Sequence, residues 1–403
     1  MWIRRTDQSD ADASKHTEGH CLHSRVVQPL RRLGFNAVFL QPRMGGIETY
    51  VRQLLPALLE ARPSLEIDVF VSVRGRRLLS EEPWADAVRL VTHPLLGRPY
   101  LRALSELTVL GAIASRRGLD VLHSVALTGP LRTKPAHVLT VGDVTWIRHP
   151  EPAEAGTVRL WRAIVPQVAR RADLVLTYAE ASRREIAEDL GVPIERIDAI
   201  PLGAGAGPSV EPTPEAELRT RLGLGLGPVV LAVSALKEHK NVGRLVEAMA
   251  SVRQEVPDAV LVVPANPAPL QAELERQARG LGIADAIVFP GWIQDADLEG
   301  LYQAAACLAF PSLREGFGLP ILEAMRRGVP VACSNTSSLP EVAGDAALPF
   351  DPLSVDEISR AIVRLLTDPD LATDFAARGR ERARLFTWRR TADLTLAAYE
   401  RAR

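Results

Sequence analysis

Short runs of consecutive apolar residues alternate along this chain with longer stretches in which apolar residues recur every three or four positions. The runs predict buried strands and the periodic stretches predict helices buried on one face. In the first half, strands are expected at 36–40, 66–73, 120–124, 137–141 and 172–177, and helices at 47–61, 101–117, 158–171 and 182–190. The second half repeats the alternation, with strands at 229–234, 259–263, 286–289, 304–310 and 329–334. Its helices are expected at 242–255, 269–281 and 295–305, from Pro320 onward, and at 356–367, 372–385 and 388–401. Strands that alternate with helices form parallel, doubly wound sheets.

Between the halves, residues 202–216 are rich in glycine and proline and lack periodicity, as a linker does. Gly203, Gly205 and Gly207 imitate a phosphate loop but have no strand-to-helix context, and Gly223, Gly225 and Gly227 precede a strand instead of following one. The expected organisation is a disordered extension at 1–31, a first α/β domain at 32–201, the linker, a second α/β domain at 217–385, and a terminal helix at 386–403 packing back on the first domain. Ligands of such folds sit at the C-terminal edges of the strands, so two facing domains create a cleft for one.

Composition narrows the classes. At 403 residues the chain exceeds one ordinary core, and 47% hydrophobic with 24% charged residues describes a globular protein. A net charge of −1 argues against general nucleic-acid binding. Three cysteines without a CxxC pair argue against a disulfide framework or zinc ribbon, and the absence of long apolar runs or a signal peptide predicts a cytoplasmic protein. His16, His20, Cys21 and His23 lie together in the extension, where chance ligands in a mobile tail are a simpler reading than a metal site.

The chemistry concentrates at Pro311 to Met325. Glu315 lies in a glycine-bearing loop and Glu323 about one turn inside the helix that the loop opens, so both can face one crevice. A helix start offers unpaired N–H groups and partial positive charge to a phosphate, while carboxylates accept hydrogen bonds from hydroxyls. That combination suits a nucleotide sugar; two solvated surface glutamates are the plainer alternative. Lys237 and Lys240, two of only four lysines, share the loop after the strand ending at Ser234. A cation there would stabilise charge developing on a departing phosphate.

The run Glu315-Gly316-Phe317-Gly318-Leu319-Pro320-Ile321-Leu322-Glu323-Ala324-Met325, followed by Gly328-Val329-Pro330-Val331 and Leu339-Pro340-Glu341-Val342, resembles the donor site of the retaining GT-B glycosyltransferases of family four. It is most similar to bacterial mannosyltransferases of surface polysaccharide synthesis. The resemblance implies two Rossmann-like domains facing across a cleft and metal-independent transfer of a hexose, mannose for preference. The donor would be a nucleotide sugar, GDP-mannose first, with no further cofactor. The acceptor would be a glycan or a lipid-linked sugar.

By the same resemblance, Glu315 meets donor hydroxyls, the backbone at Gly316, Phe317, Gly318 and Leu319 meets sugar and diphosphate, and Glu323 holds the ribose. Ser234, Lys237 and Lys240 form the phosphate side. Gly45 and Gly46 resemble a loop that closes over the diphosphate, although a tight strand-to-helix turn also needs glycine. Two places depart from the pattern: Ser234-Ala235-Leu236 stands where an arginine is usual, and Gly142, before Asp143, where a histidine is usual. Lys237 or His239 could replace the first, and His123 or His149 the second; Glu315, Lys240 and His123 are the expected catalytic set.

Two rival readings are a glycosidase using the two glutamates, which would leave Lys240 and the helix start without a purpose, and a catalytically degenerate sugar-nucleotide binder in a polysaccharide assembly complex. Arg98, Arg102, Arg116 and Arg117 around the helix at 101–117 could give peripheral contact with the inner face of a membrane, or simply a solvated face.

Overall fold

The computed structural model describes residues 29–96, 102–150, 155–205 and 210–403. Most of the extension, with His16, His20, Cys21 and His23, lies outside the described residues, as do Gly207 and Arg98. The first sheet contains β1 (Arg32–Ala37), β2 (Glu66–Val71), β3 (Arg89–Val91), β4 (Val121–Ser124), β5 (Ala136–Thr140), β6 (Leu174–Thr177) and β7 (Ile197–Ala199). All pairs are parallel, in the order β3-β2-β1-β4-β5-β6-β7. The second contains β8 (Val229–Leu231), β9 (Val260–Val262), β10 (Ile287–Val288), β11 (Ala305–Phe310), β12 (Val331–Ser334) and β13 (Leu348–Phe350). Its order is β10-β9-β8-β11-β12-β13, again parallel.

Helices cover both faces of each sheet, so the central strands are buried on both sides and read as unbroken apolar runs. This is the doubly wound fold expected, twice over. Each sheet reverses direction once, between β1 and β4 and between β8 and β11. The loops after β1, β8 and β11 therefore open at the crevices where ligands of such sheets bind, and they carry Gly45, Lys240 and Glu315.

Some boundaries differ from expectation for local reasons. The first strand is β1 at Arg32–Ala37, not 36–40: residues 32–37 pair with β2 and 33–36 with β4, and Arg32, Gly34 and Asn36 break up the apolar run by which a strand is read. Asp120 accepts the backbone N–H groups of Arg31 and Arg32 at 2.8 and 2.9 Å, and Leu40 instead closes a turn onto Ala37. The edge strands β3, β7 and β13 have three residues each, too short to register as a pattern. The linker is shorter than 202–216, since a helix already begins at Glu215 (Glu215–Leu222).

The chain crosses between the domains twice, and the crossings touch: Ala204 N–H donates to the Phe386 carbonyl at 2.9 Å. Gly203 is needed there, because a Cβ would stand 2.5 Å from the Trp388 nitrogen. After the second crossing the helix Trp388–Ala402 packs on the first domain's helix Gly46–Ala61. Arg62 pairs with Glu400 at 2.7 Å and Arg401 with Asp198 at 2.7 Å.

Among the described residues no helix is long and apolar enough to cross a membrane. Of the arginines expected around the helix Arg102–Arg116, Arg117 pairs with Asp68 at 2.6 Å and Arg116 is exposed.

Candidate active site

The loop from Pro311 to Gly318 is held from below by two hydroxyls. Ser337 Oγ donates to the Glu315 carbonyl at 2.8 Å and accepts the Glu315 N–H at 3.2 Å, while Ser338 Oγ donates to the Phe317 carbonyl at 2.9 Å. Glu315 is thus gripped through both of its backbone groups. Gly318, at φ 112°, then turns the chain into the helix Leu319–Arg327. A left-handed φ of this size is natural only for glycine. No side chain caps that helix start. The two serines were not singled out in the sequence, although they directly precede the Leu339-Pro340-Glu341 motif.

Lys240 ends a single 3₁₀ turn, Glu238–Lys240, after β8. Asn241, at φ 60°, anchors the turn by donating to the carbonyls of Pro311 and Pro352 at 3.0 and 2.7 Å, and Leu313 N–H donates to the His239 carbonyl at 2.8 Å. The β8 and β11 loops are in this way stitched together. Lys240 Nζ reaches both carboxylate oxygens of Glu315, at 2.7 and 2.8 Å. With 18% and 12% of the side chains exposed, the pair lies in the crevice but remains reachable by solvent. An ion pair of this kind is worth about 0–1 kcal/mol, so its value is positional: it fixes one cation and one acceptor side by side.

Glu323 is placed apart from this pair. Its Oε2 accepts the Tyr302 hydroxyl at 2.8 Å, and Arg327 and Glu299 complete a charged cluster behind it. Burial raises the Glu323 carboxyl above its ordinary value, and the Tyr302 hydrogen bond and Arg327 partly oppose this. Its Oε1 faces the inter-domain crossing, 3.7 Å from where a Cβ on Gly205 would lie. Tyr302 is a further residue that sequence reasoning missed; it is one buried aromatic among many in the pattern.

The first domain supplies the opposite wall. A Cβ on Gly316 would lie 2.8 Å from the Gly142 carbonyl oxygen and 3.0 Å from Asp143 Oδ2, so the two loops meet backbone to backbone. Ser182 Oγ donates to the Gly316 carbonyl at 3.3 Å. Gly46 meets Leu319 at the start of the helix Leu319–Arg327, 3.5 Å from an added Cβ, and Arg43 lies over the Trp292 ring. Gly46, Gly316 and Leu319 therefore meet at one inter-domain seam beside the Lys240–Glu315 pair, and Gly45 precedes the helix that opens with Gly46. Phe317 is mostly buried against Phe386, which leaves only its backbone for a ligand. Ser234 bonds within its own loop, to the Ala235 carbonyl at 3.0 Å, and Lys237 precedes the Lys240 turn.

His123 does not belong to this seam. It is fully buried in β4, with Nδ1 2.7 Å from the Tyr399 hydroxyl and Nε2 2.7 Å from Thr140 Oγ1. Burial, then neighbouring His137, pushes its pKa down to about 3. It is a neutral core residue that ties the terminal helix to the first sheet, and its expected catalytic role is corrected accordingly. The vacancy at Gly142 is filled differently: a Cβ there would stand 2.9 Å from Cε2 of Tyr178, whose ring takes the room a larger residue would need. His239, in the turn that carries Lys240, lies close enough to Asp143 and His149 of the first domain to interact with their charges. Burial, then Lys240, lowers its pKa to about 4, with Asp143 opposing and Lys237 and His149 reinforcing the shift. No group of three or more metal-ligating side chains occurs among the described residues.

Residues 217–382 match the family model described as Glycosyl transferases group 1, and residues 44–204 match Glycosyltransferase Family 4. The chain is 33% identical over 265 residues to the O-antigen chain mannosyltransferase B of Escherichia coli, covering 65% of this chain and 70% of that one. The chain belongs to the group 1 glycosyltransferases. This glycosyltransferase is also 27% identical over 353 residues to the GDP-mannose-dependent alpha-(1-6)-phosphatidylinositol monomannoside mannosyltransferase of Mycobacterium tuberculosis, covering 84% of this chain and 90% of that one. Its two-domain GT-B fold is shared with the sucrose-phosphate synthase of Thermosynechococcus elongatus at a TM-score of 0.71 and 21% identity, over 91% of this chain and 97% of that chain. The protein is a hexosyltransferase.

Proposed function

We propose that this enzyme moves a mannosyl unit from GDP-mannose to a glycan or lipid-linked acceptor with retention of configuration. The observation that carries the reading is the Lys240–Glu315 pair at the joined edges of β8 and β11. A nucleotide sugar needs a cation at its β-phosphate and an acceptor for its sugar hydroxyls within one short span, and the pair supplies both. The activities of the Escherichia coli and Mycobacterium tuberculosis relatives support mannose, and the second supports GDP and a lipid acceptor.

In the mechanism that fits, donor hydroxyls bond Glu315 while Lys240 faces the phosphate. The bond from the anomeric carbon to the phosphate oxygen breaks as the acceptor oxygen bonds the same face. The acceptor proton passes to the departing phosphate. No protein base is required, which suits a seam where Gly142 stands in place of a histidine. Lys240 acts most strongly once charge has moved to the leaving phosphate, so it lowers the barrier more than it tightens binding.

The test is GDP release from GDP-mannose, compared with UDP-glucose, UDP-N-acetylglucosamine and dTDP-rhamnose. GDP-mannose turnover by the wild type is expected, with Lys240→Ala lowering kcat about 10²–10³-fold. Tight donor binding without turnover of any donor would instead fit a degenerate binder, and an unchanged rate in Lys240→Ala would sink the phosphate role.

A further inference from the structure

The helix Glu180–Leu190 belongs to the first domain, but its N-terminal end meets the second domain at three points. Glu341 accepts the backbone N–H groups of Glu180 and Ala181, Ser182 Oγ donates to the Gly316 carbonyl at 3.3 Å, and Glu185 Oε1 accepts from Arg314 Nη1. Arg314 and Gly316 flank Glu315 in the chain. The helix therefore grips the loop one residue before and one residue after the carboxylate that pairs with Lys240.

Glu185 has a second connection. Its Oε1 also lies 3.5 Å from Nη1 of Arg148, the last residue of the short helix Thr145–Arg148, which follows the Gly142–Asp143 loop. Arg148 is tied further to the same helix, with Nε 2.6 Å from Asp189 and Nη2 2.9 Å from Glu188. One carboxylate oxygen is thus shared by an arginine behind the first-domain wall and an arginine from the Glu315 loop. Arg314 is the less supported of the two: its Nε–H is buried without an acceptor, and Glu185 is the carboxylate it pairs with among the described residues. With side chains only 18% and 16% exposed, this pair is weakly screened by solvent. Loss of Glu185 would leave Arg314 beside the Arg148 cation without that counter-charge, and removing one member of a largely buried pair is costly.

We propose that Glu185 is a positioning residue for the transfer reaction: by holding Arg314 and Arg148 through one oxygen, it sets the register of the Glu315 loop against the Gly142–Asp143 loop across the seam. Ser337 grips the Glu315 backbone and Lys240 its carboxylate, but both belong to the second domain. They fix Glu315 within that domain only. Its place relative to the first-domain wall needs a link across the seam, and Glu185 supplies one a single residue away. Glu341 and Ser182 engage backbone groups and hold the domains together. The Glu185–Arg314 contact joins two side chains, so it can be removed and rebuilt while those contacts remain. Reacting groups displaced by about 1 Å can lose about 10²-fold in rate, so a register set here acts on kcat.

The proposal rests on the nucleotide-sugar reading, and its test separates the two. GDP release from GDP-mannose is measured together with calorimetric GDP binding and thermal melts. The proteins are wild type, Glu185→Gln, Arg314→Ala, Arg148→Ala, the reversals Glu185→Arg and Arg314→Glu, and the two reversals combined. Glu185→Gln and Arg314→Ala are expected to lower kcat about tenfold or more, and Arg148→Ala less. GDP affinity is expected to stay within about threefold of wild type, because Glu341 and Ser182 still join the domains. The combined reversal keeps one carboxylate and two arginines at the junction, so it is expected to recover kcat well above either reversal alone. A kcat within about twofold of wild type in Glu185→Gln overturns the proposal, as does a combined reversal no more active than the single ones. A loss of GDP affinity as large as the loss of kcat marks a structural role and also overturns it. Where melts show a single variant unfolded, the combined reversal measured against wild type decides. A wild type that binds GDP and turns over no nucleotide sugar overturns the positioning role; one that binds no nucleoside diphosphate removes the nucleotide-sugar reading itself.

Discussion

Two buried histidines give the first domain an acid-sensitive centre. Burial lowers His123 to about 3 and His137 to about 4 from the ordinary 6.5. Each binds a proton more readily in the unfolded chain than in the folded one, so folding stability rises with pH through this window. The contribution is complete above about pH 6.5 and is lost progressively as pH falls towards 4 and 3. Denaturant melts at pH 7.5, 6.0 and 5.0 are expected to show the loss, and His123→Gln is expected to flatten it while lowering stability at pH 7.5 by about 1–3 kcal/mol. A His123→Gln protein with the wild-type pH slope would contradict this. The same histidine shows where sequence reading stops. Its position after an apolar strand fits a crevice residue and a core residue equally, and only Tyr399, 276 positions away, decides between them. Lys240 and Glu315 were legible because each sits in a loop whose strand and helix the apolar pattern had already drawn. That they touch was not legible, since no spacing links positions 75 apart.

At the scale of elements, Gly142 and Tyr178 act as one packing unit between β5, β6 and the second domain. The Tyr178 ring stands where a side chain at 142 would go, and Tyr50 packs behind it with ring centroids 5.4 Å apart. Introducing the family's usual residue alone, Gly142→His, is expected to cost about 1–3 kcal/mol through overpacking. Combining it with Tyr178→Ala is expected to recover part of that loss. Thermal melts of the two single variants and the double variant check the coupling; strictly additive effects would mean that the two residues are independent. The alternation of strands and helices was readable almost throughout, because buried parallel strands leave continuous apolar runs. The three-residue edge strands and the short helix Leu339–Ala343 were not, having too few positions to form a period.

At the scale of the molecule, one carboxylate joins the two domains at a helix end. The helix Glu180–Leu190 starts after Ala179, which has no side-chain acceptor, and Glu341 of the other domain fills the role by accepting the Glu180 and Ala181 N–H groups at 2.8 and 2.7 Å. Arg314 reinforces the junction by pairing with Glu185. A charged cap at a helix start contributes about 1 kcal/mol, enough to shift an open–closed balance about fivefold. Glu341→Ala is therefore expected to increase the radius of gyration in solution scattering and to raise donor KM. Unchanged scattering would show that the other contacts suffice. The cap was invisible in the sequence because Glu341 belongs to a motif that resembles part of a donor site, whereas its carboxylate serves the facing domain.

The placement of Trp388–Ala402 on the first domain also sets an order of events during synthesis. The first sheet is complete as a sequence once Ala199 has been made, but Tyr399, the partner of His123 in its interior, follows about 200 residues later. At elongation rates of roughly 5–20 residues per second, about 200 residues of delay is roughly 10–40 s. Through that interval the nascent first domain has an unsealed helix-binding face, while the second domain already has all its strands. The first domain can close only once the helix Trp388–Ala402 has been made, and a chain cut short before Trp388 leaves it open for good.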